Sequence, residues 1–78
     1  MEKEHIFLDV RVLESPLPLQ KVLQAISENS SHTKIIVLHR LEPLGLYPHL
    51  NKLGYQYRCT KKDTDYLIEI WKKDAELD

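Results

Sequence analysis

The spacing of apolar residues predicts a chain in which strands and helices alternate. In residues 5–10 every second side chain is apolar, a pattern typical of a strand with one buried face. The next apolar residues recur at the spacing of one face of a helix: Leu19, Val22, Leu23 and Ile26. A polar run at residues 27–31 ends this helical pattern.

The residues ahead of the first helix carry a start signal. Ser15 can cap the helix through its hydroxyl group, and Pro16 and Pro18 then fall in the first turn, where a missing N–H costs little. We therefore predict that Ser15 is the N-cap of the first helix.

The second half of the chain predicts one more helix and three further strands. Residues 33–39 contain a continuous run of large aliphatic side chains, which favours a strand buried in the middle of a sheet. A helix over residues 45–53 is followed by Gly54, a natural left-handed C-cap. Residues 55–60 and 66–71 are predicted to form the two strands of a hairpin.

This order of elements predicts an α/β two-layer sandwich of βαβαββ order, a four-stranded mixed sheet with two helices on one face. The crossover through the first helix makes the first two strands parallel. We expect a single domain over residues 1–78, with an ordered core at about residues 5–72 and a frayed tail at residues 73–78.

The composition narrows the class of partners. The 78 residues include 11 basic and 12 acidic side chains, so the basic excess usual in nucleic-acid-binding proteins is absent. No apolar stretch is long enough to span a membrane, and residues 1–5 lack the apolar region of a signal peptide. Cys59 is the only cysteine, which fits a reducing compartment. We therefore expect a cytoplasmic protein that binds neither nucleic acid nor membranes.

The parallel arrangement of the first two strands predicts where a binding site would lie. Their carboxyl ends meet at one edge of the sheet, beside the starts of both helices, where open α/β sheets commonly place ligands. Six polar residues should be neighbours there: Asp9, Arg11, Ser15, His39, Arg40 and Glu42. Basic side chains next to helix N-termini favour an anionic ligand. The alternative is that Asp9, Glu14 and Glu42 neutralise the arginines as structural ion pairs.

Two motifs resemble a known family. Residues 8–18 (LDVRVLESPLP) are similar to the opening motif of the TusA/SirA-like sulfur carriers, usually Leu-Asp-x-Arg-Gly-x-x-Cys-Pro-x-Pro. Residues 39–50 (HRLEPLGLYPHL) and 53–55 (LGY) resemble a little-characterised branch of that superfamily with a His-x-x-Glu-Pro motif and a Leu-Gly-Tyr/Phe helix end. The matches run in order from residue 8 to residue 71. The resemblance implies the same α/β fold.

The chain departs from the family's pattern at two positions. The cysteine that carries a persulfide in TusA-like proteins falls on Ser15, and the usual glycine falls on Val12. A serine hydroxyl has neither the acidity nor the sulfur chemistry of a thiol at neutral pH. The resemblance therefore argues against sulfur transfer at this position, and we expect no catalytic residue.

These observations favour a non-enzymatic binding or accessory module without a cofactor. It would bind a small anion or an acidic segment of a partner protein at the predicted edge. One alternative is a sulfur-transfer or redox accessory protein that works through Cys59. The other is a sheet surface that binds nucleic acid, suggested by five residues: Tyr55, Tyr57, Arg58, Lys61 and Lys62.

Two further features bear on sites outside this edge. The four histidines lack the paired spacing of a metal site, so we expect no metal. Leu67, Glu69 and Trp71 share one face of the last strand. If that face points outward, it is a surface for a partner or for dimerisation, and the alternative is that Trp71 tucks under the N-terminal residues.

Overall fold

The computed structural model describes residues 4–72, which form four strands and two helices in the predicted βαβαββ order. The elements are β1 (Glu4–Asp9), α1 (Leu17–Glu28), β2 (Thr33–His39), α2 (Tyr47–Leu53), β3 (Tyr55–Lys62) and β4 (Asp65–Lys72). None of the helices within this range is long and apolar enough to cross a membrane. The expected fraying of residues 73–78 lies outside the described residues.

The strands form one mixed sheet with the order β1-β2-β4-β3. β1 runs parallel to β2, as the crossover predicts, whereas β4 is antiparallel to both of its neighbours. The aliphatic run of β2 lies between two strands, which is the position that its composition favours. The hairpin of β3 and β4 docks with β4 against β2, so the beginning of β4 lies beside the end of β2.

One face of the sheet forms the core with both helices. Ile35 of β2 and Ile68 of β4 are at most 1% exposed, and they belong to the same cluster as Val22 of α1 and Leu50 of α2. Their neighbours in the strands point to the other face, since side chains alternate along a strand. On that face Phe7 is 59% exposed. The predicted two-layer arrangement, with two helices on one face, is therefore confirmed.

The start of α1 differs from the prediction. Its N-cap is Pro16, no side-chain hydrogen bond caps the helix, and the prediction that Ser15 is the cap is wrong. A cap at Ser15 would accept a hydrogen bond from the N–H group of the residue two or three positions further along the chain, which is Leu17 or Pro18. The N–H group of Leu17 already donates to the carbonyl oxygen of Glu14 at 2.9 Å, and Pro18 has no N–H group. The backbone therefore leaves the Ser15 hydroxyl nothing to cap.

The end of α2 follows the prediction more closely than its start. α2 begins at Tyr47 rather than at residue 45, because a turn precedes it in which the N–H group of Leu46 donates to the carbonyl oxygen of Pro43 at 2.9 Å. Gly54 closes the helix in the left-handed conformation, with φ of 80°. This cap lets the chain leave α2 and enter β3 at the next residue, Tyr55.

Candidate functional site

A groove of about 680 Å³ lies between the start of α1 and the chain that follows β2. We call residues 40–46 the β2–α2 loop. Most of the lining is apolar: Leu13, Pro18, Leu19, Val22, Val37, Leu41, Pro43, Leu44 and Leu46. The polar side of the lining consists of Glu14, Ser15, His39, Arg40 and Glu42. The groove therefore combines an apolar floor with a small number of polar groups, the usual make-up of a ligand site.

The structure separates the six predicted site residues into two groups. Ser15, His39, Arg40 and Glu42 line the groove. Asp9 and Arg11 are not among the lining residues. Asp9 lies two positions beyond Phe7 in β1. Both side chains therefore point to the face of the sheet that the helices leave uncovered. The six residues thus lie at the same end of the strands but not in one pocket.

Arg11 is held by two carboxylates. Its Nε and Nη2 donate to the Asp9 carboxylate at 2.9 and 2.8 Å, and its Nη1 donates to Oδ2 of Asp65 at 3.2 Å. The ion-pair alternative therefore describes Arg11. The sequence reasoning missed Asp65, which reaches Arg11 because β4 begins beside the end of β2. We call these three residues the acidic cluster.

The pairing with Arg11 predicts how the acidic cluster responds to pH. Hydrogen bonds from Arg11 lower the pKa of Asp9 from 3.8 to about 2. A carboxyl group with a lowered pKa stabilises the fold at pH values above 3.8, and this contribution is lost as the pH falls from about 4 through 2. We expect Arg11→Gln to return the pKa of Asp9 towards 3.8, as measured by carboxyl-detected NMR titration. The control is Arg58→Gln, which should leave the Asp9 titration unchanged; an unchanged pKa in Arg11→Gln contradicts the pairing.

His39 shapes the beginning of the β2–α2 loop. Its Nδ1 accepts a hydrogen bond from the backbone N–H of Leu41 at 3.1 Å, so the neutral ring carries its proton on Nε2. Partial burial and the nearby charge of Arg40 lower the pKa of His39, which favours this neutral form. The ring therefore holds the loop in place as a hydrogen-bond acceptor.

Tyr47, which the sequence reasoning did not single out, anchors the other end of the loop. Its hydroxyl donates to Oε2 of Glu42 at 3.1 Å, and its ring stacks on Tyr57 with the centroids 4.1 Å apart. Burial, followed by the thiol of Cys59 and the carboxylate of Glu42, raises the pKa of Tyr47. The hydroxyl therefore stays protonated and donates to Glu42. No sequence pattern marks this contact, because it depends on how α2 lies across β3.

The groove lining holds three charged side chains, the carboxylates of Glu14 and Glu42 and the guanidinium of Arg40, and Glu42 accepts its hydrogen bond from Tyr47. Arg40 is the single arginine or lysine among the lining residues. Within residues 4–72 its guanidinium has no hydrogen bond or ion pair to a carboxylate. The two arginines expected at this edge therefore differ: Arg11 is neutralised, whereas Arg40 is exposed and available to a ligand.

The helix starts beside the groove supply few backbone donors. In α1 the N–H group of Leu17 is bonded to Glu14, and neither Pro16 nor Pro18 has an N–H group. In α2 Pro48 removes another donor from the first turn. An anion at a helix start relies on free N–H groups. The expected contribution of the helix starts to anion binding is therefore small, and Arg40 is the main cation.

The residues suggested for a nucleic-acid surface do not share one face. Tyr55 is buried under α2, and Tyr57 lies on the same side of the sheet, against Tyr47. Arg58 points to the opposite face, where it pairs with Glu69. A platform for stacking bases needs exposed aromatic rings next to basic side chains. These five residues do not form one.

Cys59 lies on the helix-covered face with Tyr55 and Tyr57 and is partly buried. No group of three or more histidine, cysteine, aspartate or glutamate side chains close enough to hold a metal ion occurs in residues 4–72.

The fold and the groove define a small two-layer α/β domain with an apolar, polar-rimmed cleft at the carboxyl end of its central strand β2. No family model, no curated protein and no solved structure matches the chain. The resemblance to TusA/SirA-like proteins therefore stays a prediction that rests on the two sequence motifs.

Proposed function

We propose that this protein is a non-enzymatic binding module whose groove holds a short acidic segment of a partner protein. Apolar side chains of the segment would fill the floor of the groove, and one carboxylate would pair with Arg40. The observation that carries the proposal is a mostly apolar cleft whose rim carries one guanidinium, that of Arg40, which forms no ion pair with a carboxylate within residues 4–72. Membership of the TusA/SirA-like superfamily is part of the same proposal and supports only the fold.

The exposed leucines of the β2–α2 loop support a ligand with apolar groups. Leu41 is 63% exposed and Leu44 is 66% exposed, and both line the groove. The hydrogen bond from the Leu41 N–H to His39 and that from the Tyr47 hydroxyl to Glu42 hold this loop at both ends. A preformed loop loses less entropy when a ligand binds, so the same contacts yield a higher affinity. Burial of the two leucines would then stabilise the complex.

The same geometry favours an acidic segment over a free small anion. A small anion would depend on several N–H donors at the helix starts, and prolines remove part of them. A segment with both apolar and acidic side chains uses the floor and Arg40 together. The volume of about 680 Å³ lies within the range of about 300–1,000 Å³ that is typical of ligand sites.

The proposal is tested with short peptides that carry leucine or phenylalanine together with aspartate or glutamate. Binding is followed by amide chemical shifts of the full chain in NMR titrations. We expect acidic peptides to shift the amides of residues 40–46, and Arg40→Gln to weaken this binding by about tenfold, since a charge-assisted hydrogen bond is worth about 1.5 kcal/mol or more. Arg58→Gln is the matched control, because it removes an exposed arginine on the opposite face of the sheet.

Several results would contradict the proposal. The first is the absence of any shift at residues 40–46 with every acidic peptide. The second is equal binding by Arg40→Gln and by the parent chain, and the third is equal binding of peptides in which lysine replaces the acidic residue. Inorganic phosphate serves as a separate probe: saturation of the same amides by phosphate alone would favour the small-anion version instead.

A further inference from the structure

Within residues 4–72, one hydrogen bond ties the beginning of the β2–α2 loop to the sheet. The N–H group of Leu41 donates to Nδ1 of His39, the last residue of β2, at 3.1 Å. The guanidinium of Arg40 has no hydrogen bond or ion pair in this part of the chain, and Leu41 is 63% exposed. Packing and ion pairs therefore add little to what this hydrogen bond does for the two residues.

The rest of the loop is held independently of His39. Two backbone hydrogen bonds of 2.9 Å close turns within residues 42–46, and Leu46 is buried in the core. The hydroxyl of Tyr47 adds a side-chain contact to this part of the loop. The hydrogen bond to His39 therefore fixes residues 40–41 in particular, which contribute the guanidinium of the groove and one of its exposed leucines.

This hydrogen bond exists only while the His39 ring is neutral. A neutral imidazole has one nitrogen that donates and one that accepts, and Nδ1 is the acceptor here. In the protonated ring both nitrogens are donors, so no rotation of the ring restores an acceptor for the Leu41 N–H. Protonation would leave two donors facing each other at 3.1 Å, and the contact must then break.

The protonation of His39 depends on the groups around the ring. Burial lowers its pKa from 6.5, and the charge of Arg40 acts in the same direction. The hydrogen bond from Leu41 stabilises the neutral ring and so also lowers the pKa. A carboxylate favours the protonated ring, but the net shift is downward. The charged and titratable groups beside His39 are Arg40 and Glu42 of the loop, Glu14 ahead of α1, and Tyr66 of β4, over whose ring the Lys61 ammonium lies at 5.8 Å.

A lowered pKa means that protonation of His39 and closure of the loop oppose each other. Above pH 6.5 the ring is neutral whether the loop is closed or open, and the closed loop keeps its full stability. As the pH falls below 6.5, the open loop takes up a proton more readily, so the closed loop loses stability until the pH has passed the lowered pKa. Each unit of difference between the two pKa values multiplies the ratio of open to closed loops by about ten.

From this arrangement we propose that His39 is a pH-sensitive switch, whose protonation releases Arg40 and Leu41 from the rim of the groove. In neutral solution the ring holds both residues in place, and in mildly acidic solution this part of the rim opens. Histidine suits this role because its charge changes between about pH 5 and 8. The switch goes beyond the binding function proposed above and depends on the hydrogen bond between His39 and Leu41, so it is independent of what the groove binds.

The switch is tested by NMR titration of the full chain between about pH 5 and 8. The carbon-bound ring protons report the protonation of His39, and the amide signals of residues 40–46 report the loop. We expect the Leu41 amide signal to shift with the same midpoint as the His39 ring. Hydrogen exchange of this amide, corrected for the intrinsic effect of pH, should be slowed about fivefold above the midpoint but not below it, the factor that corresponds to a hydrogen bond of about 1 kcal/mol.

Two substitutions of His39 separate its hydrogen bond from its charge. His39→Asn supplies a side-chain oxygen that accepts from the N–H group two residues ahead, as in an Asx turn, and does not titrate, so the Leu41 amide should stay protected at every pH. His39→Leu removes the acceptor, so the amide should be unprotected at every pH. His49→Gln is the matched control, because His49 lies exposed in α2 outside this hydrogen bond, and the transition should remain.

Each outcome supports or overturns the switch. A midpoint shared by the His39 ring and the Leu41 amide, absent in both His39 variants and kept in His49→Gln, supports it. Equal protection of the Leu41 amide on both sides of the His39 titration overturns it. A transition that persists in His39→Asn also overturns it, because another group would then be responsible. Circular dichroism over the same pH range separates release of the loop from unfolding, and a loss of helical signal at the same midpoint would overturn the switch as well.

Discussion

Ile35→Ala is expected to lower the free energy of unfolding by about 2–5 kcal/mol. Ile35 is 1% exposed, lies on the central strand β2 and packs in the cluster that joins both helices to the sheet. The substitution removes three carbon atoms from this cluster and leaves a cavity that the surrounding strands cannot fully close. A chain of 78 residues has a total stability of only roughly 4–12 kcal/mol, so the loss is a large part of it. Urea denaturation followed by circular dichroism measures the change.

The neighbouring residue provides the matched control for this prediction. Ile36 is the same residue type on the same strand, but it points to the uncovered face and is only partly buried. Both substitutions remove the same β-branched side chain, so they differ only in what surrounds it. Ile36→Ala should cost about 1 kcal/mol, in proportion to the area it buries. Equal losses at the two positions would contradict the assignment of one covered and one uncovered face.

Gly54→Ala is expected to lower the free energy of unfolding by about 1–2 kcal/mol, because the left-handed conformation brings a β-carbon too close to the following carbonyl oxygen. Gly54 has φ of 80°, and its N–H group caps α2 on the carbonyl oxygens of Leu50 and Asn51. A clash with neighbouring residues is not the cause of this loss, since an added β-carbon would meet only the flexible end of the Lys72 side chain, at 3.4 Å. Thermal and urea unfolding measure the loss.

The chain's other glycine is the control. Gly45 lies in the turn before α2, its φ is outside the left-handed region, and an added β-carbon would meet nothing within 4 Å. Gly45→Ala should therefore leave stability unchanged or raise it by up to about 1 kcal/mol, since alanine has fewer conformations in the unfolded chain. Of the two identical substitutions, only the one at Gly54 is thus expected to lower the stability. A similar loss at both positions would mean that the backbone conformation at Gly54 is not the cause.

The candidate site shows where sequence reasoning succeeds and where it stops. Ser15, His39, Arg40 and Glu42 could be placed near one another because a parallel crossover brings the carboxyl ends of its strands to one edge. The same reasoning could not separate Arg11 from Arg40. Each arginine lies in an irregular loop just after the end of a strand. The side of the sheet that it reaches depends on where the alternation of side chains stops at that strand end. The partner that neutralises Arg11 comes from β4, more than fifty residues away.

Nearby hydrogen-bond acceptors also compete for the same N–H group, and the pattern of residues does not show which acceptor binds it. A serine followed by two prolines is typical of a capped helix start, yet the carbonyl group of Glu14 takes the N–H group that the serine would have bound. The contact of Tyr47 with Glu42 is similar. It requires α2 to lie across β3 with the Tyr47 ring on Tyr57, and nothing in the sequence predicts that packing.

The amino-acid sequence by itself determined the order of strands and helices, the buried character of β2, the left-handed end of α2 and the two-layer fold. These features follow from side-chain periodicity and from backbone preferences, which act within a few residues. Only the tertiary structure decided that β4 inserts beside β2, and with it the neutralisation of Arg11 by Asp65 and the difference between Arg11 and the exposed Arg40. Strand order and side-chain pairing arise from contacts between distant segments, which are selected by how the whole core packs rather than by any local pattern.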